Sequence, residues 1–257
     1  MNKLLKHYLE LTRELAINDF KLKYNNSILG YFWSLLKPLA LFGILYLVFS
    51  IFLRLGGGIP NYQFYLLLGI IIWMYFAEVT LLSMQSIVNK ANLVKKIYLP
   101  KLIIVIATSL TSLMTFLLNL AVFFIFMVVF GLKIPLSLVW FPVYILELCF
   151  FSLGLSLILA TLFVWFRDLA HIWEILLQIL FYATPIIYPV AIIPIKYHYL
   201  IFLNPLAQII QDLRRISIDP TGLVPPFGWL TPLITLVILI LGLVIFLKKS
   251  PYFAEKI

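Results

Sequence analysis

Residues 64–82 read FYLLLGIIIWMYFAEVTLL and residues 102–131 read LIIVIATSLTSLMTFLLNLAVFFIFMVVFG, with Glu78 as the only charged residue in either run. Each run is long enough to cross a hydrocarbon core of about 30 Å as a helix. The segment between them, residues 89–101, reads NKANLVKKIYLPK and carries four lysines. Because basic segments stay on the cytoplasmic surface, this arrangement predicts two membrane-spanning helices joined by a cytoplasmic connection.

The composition of the whole chain indicates the same class. Of its 257 residues, 64% are hydrophobic and 11% are charged, whereas a soluble domain carries about a quarter charged residues. We therefore predict an all-α polytopic membrane protein, with residues 1–257 forming one transmembrane domain. The net charge of +9 is explained by cations on the cytoplasmic side, where they meet membrane lipids, so we predict no nucleic-acid partner.

Continuous hydropathy predicts six membrane spans. They are Leu35–Leu55, Phe64–Ser86, Leu102–Gly131, Val139–Trp165, Leu169–Ile187 and Leu230–Leu247. Of the 19 lysines and arginines, 14 lie in the termini and connections on one side of these spans and five on the other. The excess of cations predicts that both termini and residues 89–101 lie in the cytoplasm.

Residues 1–28 precede the first span and have an amphipathic pattern. One helical stripe is formed by Leu4, Leu5, Tyr8, Leu9, Thr12, Leu15, Ala16 and Phe20. Charged side chains fall largely on the opposite side, which predicts an interface helix in the cytoplasmic surface of the membrane. An ordinary soluble helix packed on a partner fits the same pattern.

Residues 188–228, between the fifth and sixth predicted spans, are too apolar for a solvated loop and contain six prolines. Within them, Asn204 and Pro205 have the residue types of an N-cap and a first helical residue. Residues 190–203 are a second candidate for a short helix. We predict short re-entrant helices here, because irregular backbone at membrane depth must be buried in protein or line a cavity.

Motifs for phosphate binding and catalysis are missing from the sequence. No glycine is followed by lysine, which excludes a Walker A phosphate loop, and His7, His171 and His198 lack metal-ligand spacing. We predict no catalytic residue, metal or cofactor in this chain. If transport consumes ATP, a partner chain must bind the ATP and its Mg²⁺.

Three acids lie within predicted spans: Glu78 in the second, Glu147 in the fourth and Glu174 in the fifth. An ionisable group in hydrocarbon costs about 3 kcal/mol even on the lenient scale, so each acid needs either a functional role or a compensating contact. They fit pathway or gating residues, and they also fit protonated or hydrogen-bonded contacts between helices.

Aromatic residues recur at helical spacing in two predicted spans. Phe42 and Tyr46 lie in the first span, and Phe181 and Tyr182 lie in the fifth. Packing in the core or against lipid explains such residues. A pore lined with rings explains them as well, and ring faces with nearby hydroxyls suit sugars.

Four sequence blocks resemble type-2 ABC exporter permeases. Residues 23–38, KYNNSILGYFWSLLKP, match the signature Tyr-x-x-Ser-x-Leu-Gly-x-x-Trp-x-x-x-x-Pro at Tyr24, Ser27, Leu29, Gly30, Trp33 and Pro38. The other blocks are NLVKKIYLPK at residues 92–101, FRDLAHIWEILLQILFYATPIIYP at residues 166–189 and LNPLAQIIQDLR at residues 203–214. Together they are most similar to Wzm-type and teichoic-acid-type permeases, which export lipid-linked polysaccharides such as O-antigen.

This resemblance implies a homodimer of six-span subunits in the bacterial cytoplasmic membrane, joined by two ATP-binding cassette subunits. It also implies a coupling helix at residues 89–101 and a gate formed by outer helices at residues 188–228. The coupling residues would be Lys90, Asn92, Leu93, Lys95, Lys96, Ile97, Tyr98 and Pro100. The candidate channel or gating residues are Trp33, Phe42, Tyr46, Glu78, Glu147, Glu174, Phe181, Tyr182, Gln208, Gln211 and Arg214.

Other interpretations fit parts of the same pattern. Residues 89–101 also fit a basic anchor on lipid phosphates, although an anchor does not require Leu93, Ile97 or Tyr98. The whole chain also fits a drug or small-lipid exporter permease of the same superfamily. An ion-coupled secondary transporter using the three acids is a further alternative, but that class often shows repeated halves, and none is visible here.

Overall fold

A computed structural model describes residues 3–24, 30, 32–54, 59–96, 99–219 and 228–257, without the side chains of residues 3–5, 24 and 96. The helices in these ranges are α1 (Lys3–Tyr24), α2 (Phe32–Tyr46), α3 (Tyr62–Asn89), α4 (Ala91–Lys96), α5 (Leu102–Val129), α6 (Phe141–Trp165), α7 (Leu169–Ala183), α8 (His198–Phe202), α9 (Pro205–Ser217), α10 (Leu230–Lys249) and α11 (Phe253–Lys256). A π-helical turn, Leu47–Phe52, extends α2, and 3-10 turns lie at Leu136–Trp140, Val190–Ile192, Ile195–Tyr197 and Ser250–Tyr252. All regular elements in the described ranges are helical, as the sequence predicts.

α3 is the central helix of the bundle. All ten residues from Phe64 to Trp73 are buried, on every side of the helix. A helix that is apolar all round fits either a position enclosed by other helices or contact with lipid. Here α2, α5, α6, α7 and α9 pack around α3.

α6 and α10 cross closely at two glycines. A Cβ at Gly154 would lie 2.7 Å from the backbone of Leu239, and a Cβ at Gly242 would overlap the carbonyl of Gly154. The missing side chains let the two backbones touch, as small residues do between membrane helices. Most of the remaining surface of α10 is exposed.

The helix predicted in residues 1–28 is present as α1, while residues 25–28 lie outside the described ranges. Its buried face contains Thr12 and Ala16, and α1 packs along α5, where the Thr111 hydroxyl donates to the Ala16 carbonyl at 3.1 Å. Leu9, placed on the apolar stripe by the sequence pattern, is exposed. The position of α1 at the membrane surface stays a prediction.

Five helical segments are long and apolar enough to cross a membrane: Phe32–Phe52, Tyr62–Asn89, Leu102–Val129, Leu136–Trp165 and Leu230–Lys256. They correspond to the first, second, third, fourth and sixth predicted spans. The predicted fifth span, Leu169–Ile187, is shorter in the structure, because α7 ends at Ala183 after 15 residues. At 1.5 Å per residue this helix is about 22 Å long.

The early end of α7 has a local cause. Thr184 precedes Pro185 and is extended, with φ −91° and ψ 136°, because the proline ring disfavours helical backbone in the residue before it. A six-span count is therefore not confirmed in the described part of the chain.

The helix start predicted at Asn204 and Pro205 is confirmed. Asn204 Oδ1 accepts a hydrogen bond from the Leu206 amide at 3.1 Å, and α9 begins at Pro205. Residues 190–203 form two 3-10 turns and α8. Residues 220–227, also part of the predicted gate segment, lie outside the described ranges.

Candidate functional site

A cavity of about 400 Å³, which we call the polar cavity, lies between α1, α2, α3 and α5. Its polar lining consists of Lys23, Ser34, Lys37, Tyr75, Glu78, Ser112, Thr115 and Asn119. Lys23 Nζ donates to Glu78 Oε1 at 2.7 Å and to Thr115 Oγ1 at 3.2 Å. The candidate Glu78 is therefore ion-paired with the end of α1, and the candidate Trp33 lies in the same cavity.

A second space of about 650 Å³, which we call the apolar groove, runs between α2, α3 and α7. Leu81, Leu177 and Phe181 line it together with Glu78 and Tyr182. The Phe181 ring packs edge-on against Trp73 of α3, with 5.6 Å between centroids. The groove thus brings three candidates, Glu78, Phe181 and Tyr182, to one place.

One face of α7 carries an exposed polar stripe formed by His171, Glu174, Gln178 and Tyr182. Intervals of three or four residues place these four side chains on the same side of a helix. Polar groups on an exposed face are costly against hydrocarbon, so this face calls for water or protein beside it. The sequence interpretation named Glu174 and Tyr182 but missed His171 and Gln178, although the spacing was visible in the sequence.

Phe42 and Tyr46 line a different cavity. It measures about 320 Å³, lies between α2, α3 and α5, and is also lined by Phe64 and Phe126. Tyr46 stacks on Tyr62 with 6.4 Å between centroids. These two aromatic candidates therefore do not join Phe181 and Tyr182 in the apolar groove.

Glu147 is separated from the other two acids. It lies on α6, the helix that packs on α9, and it lines none of the three cavities. Its Oε1 atom is buried without a hydrogen-bond partner in the part of the chain that the structure describes. Glu78, Glu147 and Glu174 thus do not form one cluster.

Arg214 joins three segments at the end of the bundle where α9 lies. Its guanidinium donates to the carbonyls of Tyr65 at 3.0 Å, Pro185 at 2.7 Å and Ile186 at 2.7 Å. It also lies 3.4 Å from the centroid of the Tyr65 ring. Burial lowers the pKa of Arg214, but a guanidinium stays charged at neutral pH. The fully enclosed side chain connects segments and does not face an opening.

Of the other candidates on α9, Gln208 is buried and Gln211 is half-buried. Gln208 is fully buried, and neither of its amide atoms has a partner among the described residues. Gln211 donates to the Pro185 carbonyl at 3.4 Å. On the same helix, burial raises the pKa of Asp212 from 3.8 to about 6, and the Arg215 guanidinium at 3.1 Å opposes part of that rise.

The predicted coupling segment contains α4. Val94 is its buried side chain, Leu93 is half-buried, and Asn92, Lys95 and Pro100 are exposed. The predicted helix over residues 89–101 is shorter in the structure, and Pro100 lies between α4 and α5. Ile97, Tyr98 and the side chain of Lys96 lie outside the described part, so their predicted roles are unchanged.

Three contacts attach α4 and its flanking residues to the rest of the chain. Lys90, directly before α4, forms an ion pair with Asp19 of α1. Val94 belongs to the same apolar cluster as Phe253 of α11, which is fully buried and packs 5.2 Å from the ring of Phe246. Lys101, after α4, donates to the carbonyl of Ser250. The sequence interpretation did not identify this role of the C-terminal segment.

A metal site is not visible in the described ranges, where no group of three or more His, Cys, Asp or Glu side chains comes together. The single cysteine, Cys149, is free and lies 3.5 Å from the Tyr75 hydroxyl.

Comparison with known proteins gives one transporter family and relatives that share one name. Residues 10–217 match the family model described as ABC-2 type transporter. Two sequences named O-antigen export system permease protein RfbA, from Klebsiella pneumoniae, are each 32% identical to this chain, covering 98% of it and 96% of the relative. A protein of the same name from Myxococcus xanthus is 29% identical over 82% of each chain.

Proposed function

The chain belongs to the ABC-2 type transporter family, and on that premise we propose that it is the membrane permease subunit of an ATP-driven exporter for a lipid-linked, O-antigen-like polysaccharide. The full-length similarity to permeases named for O-antigen export supports this substrate class. The chain acts as a transport component and not as an enzyme, and a partner chain binds ATP and Mg²⁺.

The observation that carries the proposal is the uncovered side formed by α2, α3 and α7. It presents the polar stripe of α7 and the lysine-containing apolar groove, while α2 and α7 bury few of their side chains. Polar groups in this position require a covered or aqueous environment. A second copy facing this side across a two-fold axis would enclose the polar stripes of the two α7 helices in one channel. Two-fold dimers are the commonest oligomers.

The end of the bundle near α4 is the proposed docking site for an ATP-binding cassette subunit, so that the homodimer binds two of them. Exposed Asn92 and Lys95 would contact the partner, and Val94 fixes α4 to the spans. Movement of the partner would then reach the spans as a rigid-body shift. This proposal places both termini in the cytoplasm, and it assigns α8 and α9 to an outer gate with the short α7 completing a sixth span.

Two alternatives differ in their energy source or substrate. A drug or small-lipid exporter of the same superfamily would need the same partner and the same dimer. An ion-coupled transporter would need its acids along one path, but Glu78 is paired with Lys23 and Glu147 lies away from the groove. The structure therefore favours the ATP-driven alternatives.

The test is transport by the chain reconstituted with its co-purified ATPase in proteoliposomes. We expect translocation of lipid-linked glycan that requires ATP hydrolysis and is unaffected by ionophores. Transport that stops when the ion gradient is dissipated, and continues without ATP, would contradict the proposal. Transport of a dye or a small lipid but not of the glycan would favour the drug-exporter alternative.

A further inference from the structure

The polar cavity and the apolar groove are adjacent. Four residues, Lys23, Lys37, Met74 and Glu78, line both of them. Beyond this shared boundary, the cavity is rich in hydroxyl and amide groups, whereas the groove is lined mainly by leucine and aromatic side chains. The two spaces therefore meet at a boundary that contains two lysines, with more hydroxyl and amide groups on the cavity side than on the groove side.

The boundary has an excess positive charge. The Glu78 carboxylate is neutralised by Lys23 at 2.7 Å. Lys37 lies on α2, four residues after Trp33, and no carboxylate in the described part of the chain lies within ion-pair distance of it. An unpaired ammonium group within an apolar helix is costly unless an anion or water compensates it.

The polar cavity has an unsatisfied group of its own. Ser112 is 1% exposed and lines the cavity, and its hydroxyl has no hydrogen-bond partner among the described residues. A buried hydroxyl without a partner costs free energy that a polar ligand can recover. Asn119 and the Trp33 ring, which line the same space, add an amide and a flat apolar face. Hydroxyl-bearing rings satisfy both kinds of surface.

The apolar groove supplies the remaining part of a binding site. At about 650 Å³ it exceeds the polar cavity of about 400 Å³, and both are within the range of ligand pockets. Leu82 and Leu177 provide hydrocarbon surface beside the boundary lysines. The apolar groove, the boundary lysines and the hydroxyl-rich polar cavity therefore follow one another in that order.

We propose that this junction binds the head of an amphiphile in which a phosphate or diphosphate joins a sugar to a long hydrocarbon chain. The phosphate contacts the Lys37 ammonium, the first sugar occupies the polar cavity beside Ser112, and the hydrocarbon lies in the apolar groove. This inference rests on the proposed export of lipid-linked glycan and adds where the lipid-linked end is recognised. Lys23 and Glu78 form the wall that holds the ligand against Lys37.

Binding is tested with the chain and its ATPase partner in phosphatidylcholine nanodiscs, using quenching of tryptophan fluorescence and native mass spectrometry. The probes are undecaprenyl diphosphoryl-N-acetylglucosamine, undecaprenyl diphosphate and undecaprenol. We expect the affinity to fall in that order. Lys37→Gln should weaken binding of both diphosphates about tenfold to a hundredfold and leave undecaprenol unchanged.

Two further variants separate the contacts. Ser112→Ala removes one oxygen and should weaken only the sugar-bearing probe, by about threefold to tenfold. Lys37→Arg keeps the charge and should retain diphosphate binding, which guards against a Lys37→Gln variant that fails to fold. Lys248→Gln, an exposed lysine at the end of α10, is the matched control and should bind as the wild type does.

Three results would overturn the inference. Equal binding by the wild type and a folded Lys37→Gln variant would remove the phosphate contact. Displacement of the probe by phosphatidylglycerol at equal concentration would show a contact for ordinary lipid phosphates. If Lys37→Gln and Ser112→Ala both bind the sugar-bearing probe as the wild type does, while the wild-type complex exports glycan, recognition lies elsewhere. Failure of export by a wild-type complex that binds the probe would instead contradict the proposed function and leave the site standing.

Discussion

Arg214 is a buried cation whose surroundings compensate it with dipoles instead of an acid. Three backbone carbonyls accept from it, and the face of the Tyr65 ring lies against it. Gly69 is part of the same fit, because a Cβ there would overlap the guanidinium. The irregular segment after α7 thus has backbone acceptors that are satisfied inside the protein.

Replacing Arg214 should destabilise the fold strongly. Arg214→Met leaves three buried carbonyls without their charged donor, which we expect to lower the free energy of unfolding by about 3–5 kcal/mol. Arg214→Lys should recover only part of this loss, since one ammonium group cannot reproduce the guanidinium fork. Thermal unfolding of the purified chain measures the effect. Lys196→Met, at an exposed cation, is the control; equal melting of Lys196→Met and Arg214→Met would contradict the expectation.

Asp212 makes stability depend on pH. Its pKa of about 6 in the folded protein lies above the ordinary 3.8 because burial penalises the carboxylate. The folded protein therefore holds this proton more tightly than the unfolded chain. The resulting stabilisation is complete below pH 3.8 and is lost as the pH rises through about 6.

We accordingly expect the melting temperature to decrease as the pH rises from 3.8 through about 6, the interval between the pKa values of this group in the unfolded and folded chain. Asp212→Asn should remove that decrease and raise stability at neutral pH by up to about 3 kcal/mol. Asp168→Asn, at an exposed aspartate, should keep the wild-type pH profile. An Asp212→Asn variant whose profile matches the wild type would show that another group titrates.

The contact between α6 and α10 depends on two glycines. Gly154→Ala places a Cβ 2.7 Å from the Leu239 backbone, so the helices must separate, at a cost of about 1–3 kcal/mol. Gly43→Ala on α2 is a matched control, because nothing lies within 4 Å of its Cβ position, and it should be neutral or stabilising. Thermal unfolding of both variants measures the difference, and an unaffected Gly154→Ala variant would contradict the close crossing.

α11 acts as a brace for α4. Phe253 is fully buried between Phe246 and Trp165 and shares an apolar cluster with Val94. Phe253→Ala opens a cavity costing about 3–5 kcal/mol, and we expect it to loosen α4, so that less glycan is exported per ATP hydrolysed by the complex. Tyr252→Ala, at an exposed neighbouring ring, is the control. An unchanged ratio of export to hydrolysis in a folded Phe253→Ala complex would exclude the brace.

The elements differ in how far the sequence determines them. Long apolar runs predict α3, α5, α6 and α10 directly, because burial and lipid both demand continuous apolar surface. The predicted fifth span ends at Ile187, four residues beyond the end of α7 at Ala183. Thr184 before Pro185 indicates the earlier helix end, because proline disfavours helical backbone in the residue before it. The Lys23–Glu78 pair joins residues 55 apart, and no local pattern predicts which acid meets which lysine. Side-chain spacing, in contrast, predicts the stripe on α7.

At the scale of the whole molecule, burial is uneven. α3 is enclosed on every side from Phe64 to Trp73, whereas α2 and α7 bury only two side chains each and lie on one side of the bundle. α10 and the outer face of α5 are also exposed, but apart from the lysines in the last turn of α10 their surfaces consist mainly of leucine, isoleucine and valine side chains that suit lipid. The polar stripe distinguishes the α7 side from these faces, and it is the side that the proposed second copy would cover.

Cross-linking tests this distinction directly. In a Cys149→Ala background, single cysteines at Glu174, Gln178 and Tyr182 should give dimers with a bifunctional thiol reagent in native membranes. Cysteines at Ile125 of α5 and Leu236 of α10, which are similarly exposed, should remain monomeric, because those faces contact lipid. Dimers formed through Leu236 but through none of the three α7 positions would place the two-fold axis at α10. The stripe on α7 would then have to face water within a single subunit, and the channel would not lie between two copies.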